Sequence, residues 1–157
     1  MYDKKILIGG VAVGVAVLGI LLFVFSGNQK TICTLISNQS KNGYKLESKY
    51  EITSKNDIVK EVKVKEIVTS KDEKVLEKFE KQLKEQYEYN KKTYKGYTYK
   101  ISKSNNKITT DVTINYKELN LEKFIKNNEA MKQYTKDNKF TLKGAKQLYE
   151  RTGATCK

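Results

Sequence analysis

The chain contains no histidine, no tryptophan and no proline, and only two cysteines among its 157 residues. Each gap removes chemistry. Without histidine there is no Ser-His-Asp or Cys-His nucleophile, no side chain that titrates near neutrality unperturbed, and no His-bearing metal site. Two cysteines cannot by themselves complete a four-Cys zinc centre or hold an iron–sulfur cluster. Arginine is nearly missing too: Arg151 stands alone beside 30 lysines. That removes the rigid fork used for bidentate recognition of phosphate or carboxylate.

A long apolar run, by contrast, is present. Residues 6–25 carry no charge, and twenty residues at 1.5 Å each reach about 30 Å, the thickness of a bilayer's hydrocarbon core. Lys4 and Lys5 precede the run, so the positive-inside rule keeps residues 1–5 in the cytoplasm. The expectation is a transmembrane signal anchor over 6–25, a linker over 26–42 and an extracellular domain over 43–157. A cleavable signal peptide is the competing reading, but the run exceeds the usual 7–15-residue apolar core. Cys33 follows Lys30-Thr31-Ile32, which is not a lipid-attachment site.

Beyond the linker the pattern alternates. Tyr44, Leu46, Ser48, Tyr50 and Ile52 interleave with Lys45, Glu47, Lys49 and Glu51, the period of a strand with one wet face. Ser54-Lys55-Asn56-Asp57 supplies a turn into a second strand from Ile58 to about Thr69. Ser70-Lys71-Asp72-Glu73 fits a capping box. Val75, Leu76, Phe79, Leu83 and Tyr87 then recur at helical spacing for about 18 residues. A second hairpin turns at Asn105-Asn106, and two helical patterns close the chain, the last capped by Thr141 and ending near Gly153. The expected order is β-β-α-β-β-α-α: an α+β two-layer domain of antiparallel hairpins behind an N-terminal transmembrane helix.

Cys33 and Cys156 lie at the two ends of that domain. An exported chain keeps disulfides, and one bridge between them would clip the last helix to the start of the domain. Free thiols or a bridge between chains are the alternatives. The stretch Cys33-Thr34, the helix Glu77-Lys78-Phe79-Glu80-Lys81-Gln82-Leu83, Lys95-Gly96-Tyr97-Thr98-Tyr99-Lys100 and the closing Thr152-Gly153-Ala154-Thr155-Cys156 together resemble small Lys-rich exported proteins of low-GC Gram-positive bacteria, similar to the YehR-like lipoproteins. The chain departs from them in lacking the lipid-attachment site. The resemblance implies an exported, membrane-tethered α+β domain and carries over no catalytic residue.

Lys95-Gly96-Tyr97-Thr98-Tyr99 echoes the aromatic strand of an RNA-binding module, but Lys100 and Ser102 break the match. No nucleic-acid partner is expected, and Tyr97 and Tyr99 are read as core residues with hydroxyls at its edge. The net charge of +13 points instead to anions of the cell envelope, headgroups or wall-polymer phosphates. Lys91, Lys92, Lys95 and Lys100 are the candidate contacts, and a Lys-rich surface that merely keeps the domain soluble is the competing reading. Glu47, Glu51, Glu85 and Glu88 alternate with lysines as a solvated face does, so no enzyme and no cofactor is expected. The expected role is a non-enzymatic binding module; the alternative is a small interaction module for another membrane or envelope protein.

Overall fold

The computed structural model describes residues 27–157. Its elements are β1 (Gln29–Gln39), β2 (Tyr44–Lys55), β3 (Ile58–Ser70), α1 (Glu73–Thr93), β4 (Tyr97–Ser104), β5 (Lys107–Asn115), α2 (Leu121–Asn127), β6 (Thr135–Lys136), β7 (Lys139–Phe140), α3 (Leu142–Arg151) and β8 (Thr155–Cys156), with 3-10 turns at Ser40–Asn42 and Glu129–Tyr134. The strands form a six-stranded sheet in the order β4-β5-β3-β2-β1-β8 and a separate β6-β7 ribbon. Every pairing in the large sheet is antiparallel.

Turn chemistry sets the hairpins. Asn56 and Asp57, between β2 and β3, take φ of 51° and 62°, the pair of positive angles whose twist matches that of paired strands. Period 2 then sorts the side chains. Ile52, Val62, Ile108 and Val112 point to one face and are buried, while Lys49, Lys63 and Lys65 point to the other and are exposed. The helices all pack on the apolar face. α1 places Leu76 and Tyr87 there, and α3 places Ala145 and Tyr149. Tyr149 stacks on Tyr50 at 4.1 Å between ring centroids, and Phe140, 1% exposed, fills the space beside Tyr116. Burying each such large side chain stabilises the fold by about 1.5–3 kcal/mol before entropy is counted.

Several expectations are corrected. Residues 29–39, read as linker, form β1, paired along its full length with β2, so the sheet has an additional long strand ahead of the expected first hairpin. Its apolar Ile32 and Ile36 sit on the open face, 41% and 48% exposed, while Cys33, Leu35 and Ser37 are the buried set. The strand therefore lacks the polar-out alternation that would have revealed it. The tail adds β6, β7 and β8. α1 is capped by Asp72, which accepts from the Lys74 N–H. Ser70 instead ends β3 and donates its hydroxyl to the Gly43 carbonyl at 2.6 Å. The transmembrane helix drops out of the fold class as well. Residues 6–25 lie outside the described residues, and among the described residues no helix is long and apolar enough to cross a membrane. The fold class is an α+β domain in which helices cover one face of an antiparallel sheet.

Candidate functional site

Two surfaces carry the lysines singled out above. Lys91 and Lys92 stand in the last turn of α1, Lys95 in the turn that follows, and Lys100 on β4. α1 runs beside β4, and the two enclose a shallow cleft of ≈ 510 Å³ lined by Lys84, Glu85, Glu88, Tyr99, Lys100 and Ile101. Tyr99 is its centre. The Tyr99 hydroxyl donates to Glu88 at 2.6 Å, and the Lys91 ammonium sits 5.9 Å from the Tyr99 ring centroid, within cation–π reach. That hydroxyl first, then Lys92 and Lys91, holds the Glu88 carboxyl below the usual carboxylate range. Lys92 pairs with Glu88 at 3.5 Å. Of the four lysines, Lys100 alone lines the cleft.

Lys100 also belongs to the second surface, the sheet face that no helix among the described residues covers. Register places it beside Asp111 of β5, Asp111 beside Lys65 of β3, and Lys65 beside Lys49 of β2. The adjoining row runs from Thr113 through Lys63 to Glu51. Like charges directly opposite on neighbouring strands are destabilising, and Lys49 and Lys65 are such a pair. Lys49 is partly answered by Glu51 at 2.7 Å, a contact that keeps the Glu51 carboxyl below its ordinary range. Lys65 makes no ion pair among the described residues. The four candidate carboxylates are not gathered: Glu47 and Glu51 lie on this face, tied to Lys45 and Lys49, whereas Glu85 and Glu88 line the cleft.

One acidic residue escaped the sequence reading. Glu66 stands on the helix-covered face, between Ser48 of β2 and Thr110 of β5 in the register. Ser48 and Thr110 are both buried. The Tyr87 hydroxyl donates to Glu66 at 2.6 Å. Burial pushes the Glu66 carboxyl up from its ordinary value, and the Tyr87 bond pulls it partly back. Tyr50 nearby is pushed up to about 12, by burial first and by Glu66 second. The signal was available: Val62, Val64 and Val68 mark the inward phase of β3, and residue 66 falls in the same phase. Glu66 is half-buried on the side of the sheet that α1 covers, bonded there to the Tyr87 phenol.

The Cys33–Cys156 disulfide is formed, with the two Cα atoms 4.0 Å apart. It joins directly opposed residues of β1 and β8. Beside it, Ile32 and Lys157 exchange backbone hydrogen bonds at 3.0 and 2.9 Å. Among the described residues no three of His, Cys, Asp or Glu gather as a metal-holding group.

No family model and no curated protein matches the chain. Among solved structures, the NMR structure of the E. coli YehR protein superposes with a TM-score of 0.55 at 12% identity, over 83% of this chain and 92% of that one. The chain has a YehR-like fold. At that identity the likeness to YehR shows the fold alone. An NMR structure of a protein from Streptococcus pneumoniae TIGR4 matches at 18% identity over 94% of this chain and 99% of that one, with a TM-score of 0.47, too low to carry an argument.

Proposed function

We propose that this domain works outside the cytoplasm as a non-enzymatic binding module, and that its uncovered sheet face contacts anionic envelope polymers or lipid headgroups. The observation that carries the reading is the opposition of Lys49 and Lys65, with Lys63 and Lys100 in adjoining positions. A phosphate lying between the two ammonium groups would turn a repulsive pair into an attractive one. Lysine suits a flexible, repeating polyanion, because it acts as a point charge and imposes no planar geometry. Residues 27–157 carry 29 basic and 17 acidic side chains, a net +12, which draws such polymers from a distance. The disulfide supports the location, since such bonds persist in oxidising compartments. Kinship with Lys-rich exported proteins of Gram-positive bacteria rests on the sequence resemblance.

The test is retention of the full chain on immobilised poly(glycerol phosphate) and, separately, on vesicles containing phosphatidylglycerol. Binding should fall steeply between about 0.01 and 0.15 M salt, as the screening length shrinks from about 30 to 8 Å. The double variant Lys49→Glu, Lys65→Glu should abolish it. Retention on only one support separates wall polymer from headgroup. No binding at low salt, or binding that neither salt nor the variant weakens, refutes the reading.

A further inference from the structure

β4 is the outer strand of the sheet at the end opposite β8, and among the described residues only one of its edges is paired. The Asn115 N–H donates to the Gly96 carbonyl at 2.7 Å, and antiparallel pairing then alternates. Gly96, Thr98, Lys100 and Ser102 direct their backbone groups toward β5. Tyr97, Tyr99, Ile101 and Lys103 direct theirs to the open edge. Among the described residues the N–H and C=O groups of Tyr99 and Ile101 meet no backbone partner on that edge. The same two residues line the cleft beside α1. A strand edge flanked by a helix, with an apolar floor, is the geometry that takes up an extended peptide as an added strand.

The ends and the rim of the cleft have defined chemistry. At the hairpin end Lys103 is held by Glu73 and Glu80, an inward-directed charge of the kind that stops indiscriminate pairing. At the other end Lys91 rests over Tyr99. Lys84 is spent on Glu80 at 2.5 Å and Lys92 on Glu88. Lys91, Lys95 and Lys100 make no ion pair among the described residues, against two carboxylates in the same condition, Glu85 on the cleft and Asp111 beside Lys100 in the register. The balance favours an acidic partner.

We propose that the open edge of β4 and the adjoining face of α1 form a docking groove for a short, extended, acidic segment of another protein. Residues of the incoming strand opposite Tyr99 and Ile101 point toward α1 and are apolar; those opposite Lys100 point away from it and carry carboxylates. The segment therefore alternates Asp or Glu with a β-branched residue. The groove shares Lys100 with the open sheet face but contains neither Lys49 nor Lys65, so the Lys49→Glu, Lys65→Glu variant, which tests polymer binding, leaves the groove in place.

The experiment is hydrogen–deuterium exchange on the full chain with three synthetic probes: the heptapeptide (Asp-Val)3-Asp, its (Lys-Val)3-Lys counterpart, and the acidic peptide N-methylated at each valine. The acidic peptide should slow exchange across Tyr97–Ser104. The lysine peptide should not, and N-methylation should abolish the effect by removing the N–H groups that reach β4. Lys100→Glu, an exposed substitution, should weaken the acidic peptide by roughly two- to fivefold, the range of a solvent-exposed ion pair, and so narrow the preference between the charged peptides. Three results overturn the proposal: no protection of that segment by any peptide, equal protection by all three, or protection centred on β2 and β3.

Discussion

The Cys33–Cys156 bridge spans 123 positions of sequence, and its removal should be strongly destabilising, through the freed unfolded chain first and through the lost packing of the buried Cys33 second. Closing so long a loop restricts the unfolded chain by about 5 kcal/mol at 25 °C on the chain-entropy model. The folded state offers little compensation. β8 is two residues long and is otherwise joined to β1 through the backbone exchange between Ile32 and Lys157. Against a typical total stability of about 5–15 kcal/mol, that loss is a third or more. With an unfolding entropy of about 2.1 cal/mol/K per residue, it corresponds to a fall of about 15–20 °C in the melting midpoint. The assay is calorimetry of the full oxidised chain against the double variant Cys33→Ala, Cys156→Ala, with circular dichroism to confirm native secondary structure in both. A fall of less than about 4 °C would mean a contribution near 1 kcal/mol and would refute the loop-entropy reasoning. Thiols that react in the unreduced wild type would refute the bridge itself.

Further outcomes follow from single positions. Gly144→Ala normally favours a helix by about 1 kcal/mol, but here the new Cβ would meet the Tyr134 carbonyl oxygen at 2.0 Å. The variant should therefore lower the urea midpoint, and an unchanged or raised midpoint contradicts the packing of α3 on the 3-10 turn. Phe140→Ala should cost about 3–5 kcal/mol in the same titration, since Phe140 is 1% exposed; a cost under 1 kcal/mol would place Phe140 outside the core. Burial, partly offset by the Tyr87 bond, raises the Glu66 carboxyl, so the folded state holds that proton more tightly than the unfolded chain. Glu66 therefore contributes most stability below the unfolded carboxylate value and loses it as pH climbs through the raised folded value. Urea titrations at a series of pH values should show Glu66→Gln flattening that decline, and an unaltered slope would clear Glu66 of responsibility.

Elements whose local and tertiary preferences agree were legible. α1 announces itself because Leu76, Phe79, Leu83 and Tyr87 share one face, and the β4–β5 turn because Asn105 accepts a positive φ of 37°. β1 was hidden because its inward positions are Cys33, Leu35 and Ser37 while its isoleucines face outward, so hydropathy and burial run out of phase. Ser70 imitates a helix cap because it hydrogen-bonds locally, accepting from the Asp72 N–H at 3.1 Å, yet it is the last residue of β3. Of the lysines that composition singles out, Lys100 alone lines the cleft. The unused edge of β4 was not, because chain order alone does not say that β5 inserts between β3 and β4. Glu66 is hidden for a different reason: a carboxylate reads as an outward residue, whereas the phase of β3 set by Val62 and Val68 turns position 66 inward.

Pairing β8 with β1 also decides how the domain bears force. A pull applied between whatever precedes Gln29 and whatever follows Lys157 meets the sulfur bridge within a few residues of each end. Tension then passes through Cys33 and Cys156, and the chain from Thr34 to Thr155 carries none of it. The two loaded residues sit at one margin of the sheet, and β4 lies five strand spacings away, about 24 Å. While the disulfide is closed, the domain can be dragged by its ends without opening the β4 margin; once it is reduced, the same pull peels β8 from β1 and begins to unravel the sheet.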